Sequence, residues 1–393
     1  MRSDSAIKIK PGIQQYAWGG TTYIPQWLGI ENPKAQPFAE AWYGDHPLAP
    51  AVTIENNIAL NQLITTDPES LLGKESMDVY GARLPFLLKI LDVKEMLSLQ
   101  LHPDKKGAME GFDLENKAGI AVNASNRNYK DQNHKPEILY ALSDFWMLQG
   151  FVPLDTIRTR FASLVPEFAL PKALSWRSLM QVIWGLDGPM YMNYTQTLQS
   201  NLVKHNTVDK NQIYHWISKA FKQYPPNAAS IDRGLLVMLM LHVQYLSPGQ
   251  VGYQAPGVIH AYLEGQNVEL MANSDNVLRG GLTPKHIDPV ELLKHLDTDS
   301  PGQCIIKPIY LMDDEVAFNP PVHDFWLKHY NVLEGKSKPI QFDTASILLN
   351  KSGTLKCGNI LVNKGDSLLI PAYSAIQLES VESGEYFLAI SSL

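Results

Sequence analysis

The chain has 393 residues, of which 45% are hydrophobic and 19% charged, and its formal net charge is −7. This length predicts about two or three domains with ordinary apolar cores, which excludes a disordered chain. The mildly acidic balance includes no block of basic residues, so we expect neither nucleic acid nor a membrane surface as a partner.

Nothing in the sequence indicates membrane insertion or export. The longest apolar run, residues 235–241, is far shorter than the ~18 residues of a spanning helix and is interpreted as a buried helix segment. Residues 1–10 contain no apolar stretch or cleavage site, which predicts a cytoplasmic protein. The two cysteines, Cys304 and Cys357, make neither a disulfide framework nor a thiolate cluster, so a metal would need nitrogen and oxygen ligands.

The patterning along the chain predicts three kinds of region. Short β-rich runs separated by Gly, Pro, Asn and Asp fill residues 1–150. Helical spacing dominates residues 151–246, and strand patterns return in residues 247–307 and 308–393. We therefore predict a mainly β protein in which a helical domain interrupts a first β domain and a second β domain follows.

A few elements can be placed more closely. Asp288 as N-cap, Pro289 in the first helical position and Glu291 in the first turn predict the start of a helix. Short apolar runs bounded by glycine-containing turns predict strands over residues 346–350, 359–362, 367–370 and 386–390.

A first candidate site lies in the stretch Ser-Leu-Gln-Leu-His. In an extended strand, Gln100 and His102 share one face. An amide oxygen and a neutral imidazole are plausible ligands of a borderline divalent ion, whereas a polar strand face turned to water would explain the pattern equally well.

Two further stretches offer ligands. Pro136 disfavours a helical conformation at Lys135, so Lys135 and Glu137 share a face and place an ammonium beside a carboxylate. A surface ion pair is the alternative there. His260 follows a Pro-Gly turn and could be a ligand or an ordinary core histidine. Spacing alone does not join these residues to the first candidate site.

Two cations flank a glycine pair later in the chain. Arg279 precedes Gly280 and Gly281, and Lys285 follows six residues after the arginine. Arginine suits a phosphate through its forked guanidinium and lysine as a point charge. Ordinary surface cations on a solvated turn are the alternative.

Taken together, these stretches resemble the type I phosphomannose isomerases, also called mannose-6-phosphate isomerases. The matching blocks are LPFLLKIL from Leu84, SLQLHPDK from Ser98, NYKDQNHKPE from Asn128, PGVIHAYL from Pro256 and residues 271–285, together with QYAWG from Gln15. The resemblance implies two cupin-like (jelly-roll) β-barrels plus an α-helical insertion domain. The catalytic domain would be discontinuous, residues 1–150 and 247–307, and the C-terminal barrel would carry no metal.

The resemblance also implies the roles of single residues. Carried over one by one, the ligands of one zinc ion per chain would be Gln100, His102, Glu137 and His260. Arg279 would lie at the active site and Lys285 would contact phosphate. The other candidates for substrate binding are Ser98, Trp18 and Tyr262. Leu101 and the stretch Lys-Glu-Met at residues 94–96 depart from common members of the family and alter the pocket rim, not the ligands.

The reaction implied is the interconversion of mannose 6-phosphate and fructose 6-phosphate through a cis-enediol(ate), with a proton moved between C2 and C1. Lys135 is the first candidate for the base, since Zn²⁺ and Arg279 would disfavour its charged form, and His134 is the second. Two alternatives are a non-enzymatic sugar-binding cupin and an Fe(II) oxygenase, for which glutamine would be an unusual ligand. We expect a monomer whose partner is a small sugar phosphate.

Overall fold

A computed structural model describes residues 6–205, 207–298 and 305–391. Residues 1–5 and Cys304, which entered the predictions above, lie outside these ranges. Within them the protein is mainly β with helices inserted, as predicted.

Strands and helices are mixed in the first region. Its elements are β1 Ile7–Lys10, β2 Gly12–Gln14, α1 Tyr23–Leu28, β3 Glu40–Tyr43, β4 Val52–Thr53, α2 Leu60–Thr66, α3 Pro68–Leu72, α4 Lys74–Tyr80, β5 Phe86–Val93, β6 Leu99–Leu101, α5 Lys105–Lys117, β7 Glu137–Ala141 and β8 Phe145–Phe151. Asp104 caps α5 by accepting a hydrogen bond from the backbone N–H of Gly107.

A helical block follows. Its elements are α6 Leu154–Leu164, α7 Trp176–Trp184, α8 Gly188–Leu202, α9 Ile213–Gln223, α10 Gly234–Val237 and a 3₁₀ turn at Met238–Met240. One prediction was wrong at its end. Residues 241–246 form a strand, β9 Leu241–Leu246, and do not continue the helical block. The reason is tertiary, because β9 pairs with β8 and so satisfies its backbone groups in the sheet. The run predicted as a buried helix segment is buried, and it is helical over residues 235–240.

The chain then returns to strands. The next elements are β10 Val251–Gln254, β11 His260–Ala272, β12 Leu278–Gly281 and α11 Pro289–His295. The predicted start of α11 is confirmed, since the Asp288 carboxylate accepts a hydrogen bond from the backbone N–H of Glu291.

The last region consists of strands. They are β13 Ile305–Ile306, β14 Ile309–Met312, β15 Glu315–Phe318, β16 Trp326–Val332, β17 Ser337–Gln341, β18 Ser346–Asn350, β19 Leu355–Cys357, β20 Ile360–Val362, β21 Ser367–Ile370, β22 Ala375–Ser380 and β23 Gly384–Ile390. The strands predicted over residues 346–350 and 367–370 have these bounds, and those predicted at 359–362 and 386–390 shift by one or two residues at their starts.

Three antiparallel sheets organise the described residues. An 11-stranded sheet follows the order β13-β10-β7-β11-β5-β3-β2 and is joined by β6, β8, β9 and β12. An 8-stranded sheet has the order β14-β15-β16-β23-β18-β21-β1-β4, and a 4-stranded sheet has the order β17-β22-β19-β20. The N-terminal strands β1 and β4 thus belong to the sheet of the last region, although the sequence placed them with the first.

Separate apolar cores join these layers. One core packs the helical block against the 11-stranded sheet and includes Trp216, Phe161 and Leu101. Another lies between the 11-stranded and 8-stranded sheets and includes Ile138 and Phe325. No helix in the described ranges has the length and apolar character needed to cross a membrane.

Candidate metal centre and active site

The candidate ligands meet because β11 curves through the 11-stranded sheet. His260 at its start pairs opposite Gln100 of β6, whereas Met271 near its end pairs opposite Glu137 of β7. A straight strand would hold residues 260 and 271 about 36 Å apart. Nε2 of His260 nevertheless lies 3.6 Å from Oε2 of Glu137. The curvature of β11 therefore brings His260, at its start, close to Glu137, which pairs opposite Met271 near its end.

Gly265 lies where β11 changes partners. Before it the strand pairs with β8, with an irregular register between Tyr262 and Glu264, and from Gly265 onward it pairs with β5. Gly265 has φ 125°, and a Cβ there would come within 2.5 Å of the carbonyl oxygen of Asp144. Glycine is needed at this point of the strand, because L side chains rarely adopt this conformation.

His102, Glu137 and His260 form a buried cluster. Nε2 of His102 lies 3.4 Å from Oε1 of Glu137, and one ligand atom from each residue lies within 4.8 Å of the others. The three side chains are almost fully buried. The structure thus brings together three of the four predicted metal ligands, at a spacing that one ion could bridge.

Each imidazole is oriented by a backbone carbonyl. Nδ1 of His102 lies 2.7 Å from the oxygen of Asn276, and Nδ1 of His260 lies 2.9 Å from the oxygen of Val258. Because a carbonyl oxygen only accepts hydrogen bonds, Nδ1 of each ring carries the proton. In a neutral ring, Nε2 then has a free lone pair, which points toward the other residues of the cluster. Both Nε2 atoms and Oε2 of Glu137 are buried without a hydrogen-bond partner. Since buried polar atoms are normally satisfied, these orphaned acceptors fit a divalent cation.

The protonation states also suit a metal. Burial, and then the nearby Lys135 ammonium, lower the pKa of His102 to about 4. Burial alone would raise the pKa of the Glu137 carboxyl, but Lys135 and His102 hold it well below its ordinary range. Near neutral pH the cluster therefore offers neutral imidazole and ionised carboxylate, the forms that bind metals.

Gln100 is placed beside this cluster by strand register. It lies opposite His260 in the pairing of β6 with β11 and opposite Arg279 in the pairing of β12 with β6. Directly opposite residues of antiparallel strands project to the same face, with Cβ atoms about 5 Å apart. Gln100, His260 and Arg279 therefore form one row of side chains.

A large cavity opens next to the cluster. Its volume is about 1210 Å³, and the predicted site residues along its wall are Trp18, Ser98, Gln100, Lys135, Arg279 and Lys285. Nζ of Lys135 lies 3.0 Å from Oε1 of Glu137 and so connects the cavity to the deeper cluster. The cavity has room for a hexose phosphate and reaches the region of the candidate metal.

Two predicted site residues lie neither in the buried cluster nor on the wall of this cavity. The Tyr262 hydroxyl is buried and donates a hydrogen bond of 2.8 Å to Oε2 of Glu269. Nε2 of His134 lies 2.9 Å from Oδ2 of Asp324, which precedes β16. The structure therefore connects Tyr262 to the site only through Glu269, and it directs the His134 ring toward Asp324.

A buried ion-pair network that the sequence patterns did not predict borders the cavity. Nζ of Lys89 lies 3.1 Å from Oε1 of Glu269 and 3.4 Å from Oε2 of Glu40, and Lys89 and Glu40 line the cavity. Burial alone would lower the pKa of Lys89, but the two carboxylates raise it. The single lysine inside the apolar strand LPFLLKIL could have indicated this network. A charged side chain is seldom buried in a strand unless it has a partner of opposite charge.

Comparison with known proteins gives relatives over almost the whole chain. Residues 6–154 match the family model of the phosphomannose isomerase type I catalytic domain. The mannose-6-phosphate isomerase of Escherichia coli K12 is 34% identical over 383 residues, which cover 93% of this chain and 94% of the relative. The human mannose-6-phosphate isomerase is 31% identical and covers 97% of both chains.

Solved structures agree with these matches. The apo form of mannose 6-phosphate isomerase from Salmonella typhimurium aligns with a TM-score of 0.88 and 30% identity, covering 99% of this chain and 100% of that one. A mannose 6-phosphate isomerase bound with zinc and yttrium aligns with a TM-score of 0.89 and 31% identity over the same shares. Because sequence and structure agree over nearly the full length, the chain belongs to the mannose-6-phosphate isomerase family and is an isomerase of that family.

Proposed function

We propose that this enzyme interconverts mannose 6-phosphate and fructose 6-phosphate with one zinc ion per chain, through a cis-enediol(ate). The observation that carries the proposal is the convergence of His102, Glu137 and His260, with unpartnered ligand atoms, beside a lysine in a cavity. The zinc-bound relative supports the choice of metal.

Gln100, His102, Glu137 and His260 would hold the zinc ion. Two neutral imidazoles, an amide oxygen and one carboxylate leave the ion a net positive charge, and three of these side chains are already oriented for binding. When bound, zinc supplies a Lewis acid that polarises a carbonyl or hydroxyl oxygen.

Lys135 would act as the base. In its neutral form the Nζ atom would accept the proton from C2 as the C2–H electron pair forms the C1–C2 double bond and the π pair of the C1 carbonyl moves onto O1. It would then return the proton to C1 as an O2 electron pair forms the C2 carbonyl and the O2 proton passes to O1. Glu137 now holds Lys135 as a counter-ion at 3.0 Å. His134 is the second candidate, although it faces Asp324.

Arg279 and Lys285 would bind and stabilise the negative charges of the substrate. In the described part of the chain no hydrogen bond or ion pair engages the guanidinium of Arg279 or the ammonium of Lys285, although both line the cavity. Arg279 lies in the row of Gln100 and so faces the reacting oxygens, whereas Lys285 would contact the phosphate. Ser98 and Trp18 would contact the sugar, and Tyr262 would act only through Glu269.

The sheets support a division into a catalytic barrel, a helical insertion and a C-terminal barrel without metal. The catalytic unit would keep residues 12–150 apart from β4, together with residues 241–307, whereas β1 and β4 would belong to the C-terminal unit with residues 308–391. We propose that the protein is cytoplasmic and monomeric. Size-exclusion chromatography with light scattering tests the oligomeric state directly.

A coupled assay tests the function. With mannose 6-phosphate supplied, fructose 6-phosphate should form, chelation should abolish the activity and zinc should restore it. Glu137→Gln should lower bound zinc by more than about tenfold. Glu264→Gln is the matched control, since Glu264 forms a carboxylate–lysine pair with Lys210 outside the site. Full activity in protein stripped of zinc would refute the proposal, and oxygen consumption would favour the oxygenase.

A further inference from the structure

The turn after β12 connects the two cations of the cavity and has a strained backbone. Arg279 lies within β12, and Lys285 follows the turn, whose residues Leu282, Thr283 and Pro284 also line the cavity. Leu282 has φ 54°, in the left-handed region that a branched residue seldom adopts. Such a conformation persists only where the surrounding structure imposes it.

The helical insertion supplies that constraint through Asp232. Its Oδ1 accepts a hydrogen bond of 3.0 Å from the backbone N–H of Leu282, and its Oδ2 accepts one of 2.7 Å from the N–H of Thr283. Oδ1 also accepts from the N–H of Gly234 at 2.7 Å. One carboxylate thus joins the start of α10 to two successive N–H groups of the turn, which is a strong, charge-assisted arrangement.

The backbones of the two segments are also in direct contact. A Cβ on Gly281 would lie 2.4 Å from Cα of Gly234, and a Cβ on Gly234 would lie 2.4 Å from the nitrogen of Leu282. Neither position has space for a side chain. The turn is therefore fixed by contacts with the insertion and has little freedom of its own.

We infer that Asp232 is a positioning residue for phosphate recognition, through which the helical insertion sets the turn that presents Lys285 opposite Arg279. The inference rests on the proposed phosphate contact of Lys285. The helical insertion would then help to select phosphorylated over unphosphorylated sugars. The reason is that the conformation of this turn sets the distance between Arg279 and Lys285, the two cations that would bind the phosphate.

Competitive inhibition by inorganic phosphate tests the inference. Asp232→Asn keeps the size of the side chain but removes its charge and replaces one of the two accepting oxygens with an NH2 group, so one of the two turn N–H groups loses its acceptor. The inhibition constant for phosphate and the KM for mannose 6-phosphate should both rise about tenfold, whereas kcat and bound zinc should change less than about twofold. Gly234→Ala should shift both constants in the same direction, because its methyl group must displace the turn.

Two further variants separate the outcomes. Asp187→Ala removes a helix cap in the same insertion, where Asp187 accepts a hydrogen bond from the N–H of Met190, and should lower Tm without changing phosphate inhibition. If Asp232→Asn and Gly234→Ala lower only Tm while Lys285→Met weakens phosphate inhibition, the inference is wrong and the phosphate contact stands. If Lys285→Met also leaves the inhibition unchanged, the phosphate contact itself is wrong and the inference falls with it.

Discussion

Nζ of Lys135 lies 3.0 Å from Oε1 of Glu137, so the proposed base and a proposed metal ligand form one buried ion pair. The two residues flank Pro136, which keeps Lys135 extended and lets both side chains leave the same face. Any change in the charge of one is therefore felt by the other.

Lys135→Met should separate metal binding from proton transfer. Loss of the base should slow exchange of the C2 proton with solvent by roughly a hundredfold to ten-thousandfold, while zinc stays bound to its ligands. Exchange is followed by NMR in deuterated buffer, and zinc by elemental analysis. Lys105→Met is the control, because Lys105 donates to Asn133 in the same loop without lining the cavity. A near wild-type exchange rate in Lys135→Met would remove Lys135 from the mechanism.

Arg279→Ala should lower turnover and leave metal content unchanged. A fixed positive charge beside the developing enediolate is lost, which typically costs about a hundredfold to a thousandfold in kcat. Steady-state kinetics and zinc analysis check this prediction. The matched control is Arg158→Ala. Arg158 is exposed, and its ion pair with Asp155 is a weak surface contact in which Nε lies 4.0 Å from Oδ1 of the carboxylate. Normal kcat with zinc retained would contradict the assignment of Arg279.

His102 should make the metal-free protein sensitive to mild acid. Its folded pKa, lowered to about 4 by burial and then by Lys135, lies below the ordinary value of 6.5, so the unfolded chain binds more protons between these values. The stability contribution of neutral His102 is thus present above pH 6.5 and is lost as the pH falls toward 4. Between pH 7 and pH 5 the loss should be about 2 kcal/mol.

Urea unfolding of chelator-treated protein at pH 7 and pH 5 measures this loss. His102→Gln should lose about 2 kcal/mol less than the wild type over this interval, because glutamine does not titrate. His286→Gln, at an exposed position, should behave like the wild type. Equal losses in wild type and His102→Gln would show that His102 is not held neutral by its surroundings.

Phe325→Ala should destabilise the packing of the 8-stranded sheet against the 11-stranded sheet. Phe325 is fully buried in the core that also contains Ile138 of β7, next to Glu137. Truncating a buried phenylalanine costs about 3–5 kcal/mol, because it loses apolar contacts and leaves a cavity. Urea unfolding measures the cost, with the exposed Leu333→Ala as control. A loss below about 1 kcal/mol would mean that the two sheets are stable without this shared core.

Local patterns in the sequence predicted those elements whose signals are local. The Asp288-Pro289 start of α11 and the strands at residues 346–350 and 367–370 depend on capping, turn residues and short apolar runs, which tertiary context did not override. The stretch 241–246 was misassigned because its partner, β8, lies about ninety residues earlier in the chain, and pairing over such a distance leaves no local signal.

The sequence by itself determined the family of this protein and its isomerase activity. It also determined the side chains from which a site can be built: a glutamine, two histidines, a glutamate, a lysine and an arginine. Only the tertiary structure decided that His102, Glu137 and His260 meet, that both Nε2 atoms and one carboxylate oxygen are left without partners, and that Lys89 forms a buried ion pair with Glu269. It also decided that Asp232 holds the turn before Lys285. The physical reason is that such contacts depend on the curvature of β11 and on the packing of separate cores, which are set by long-range pairing and not by the order of residues near each site.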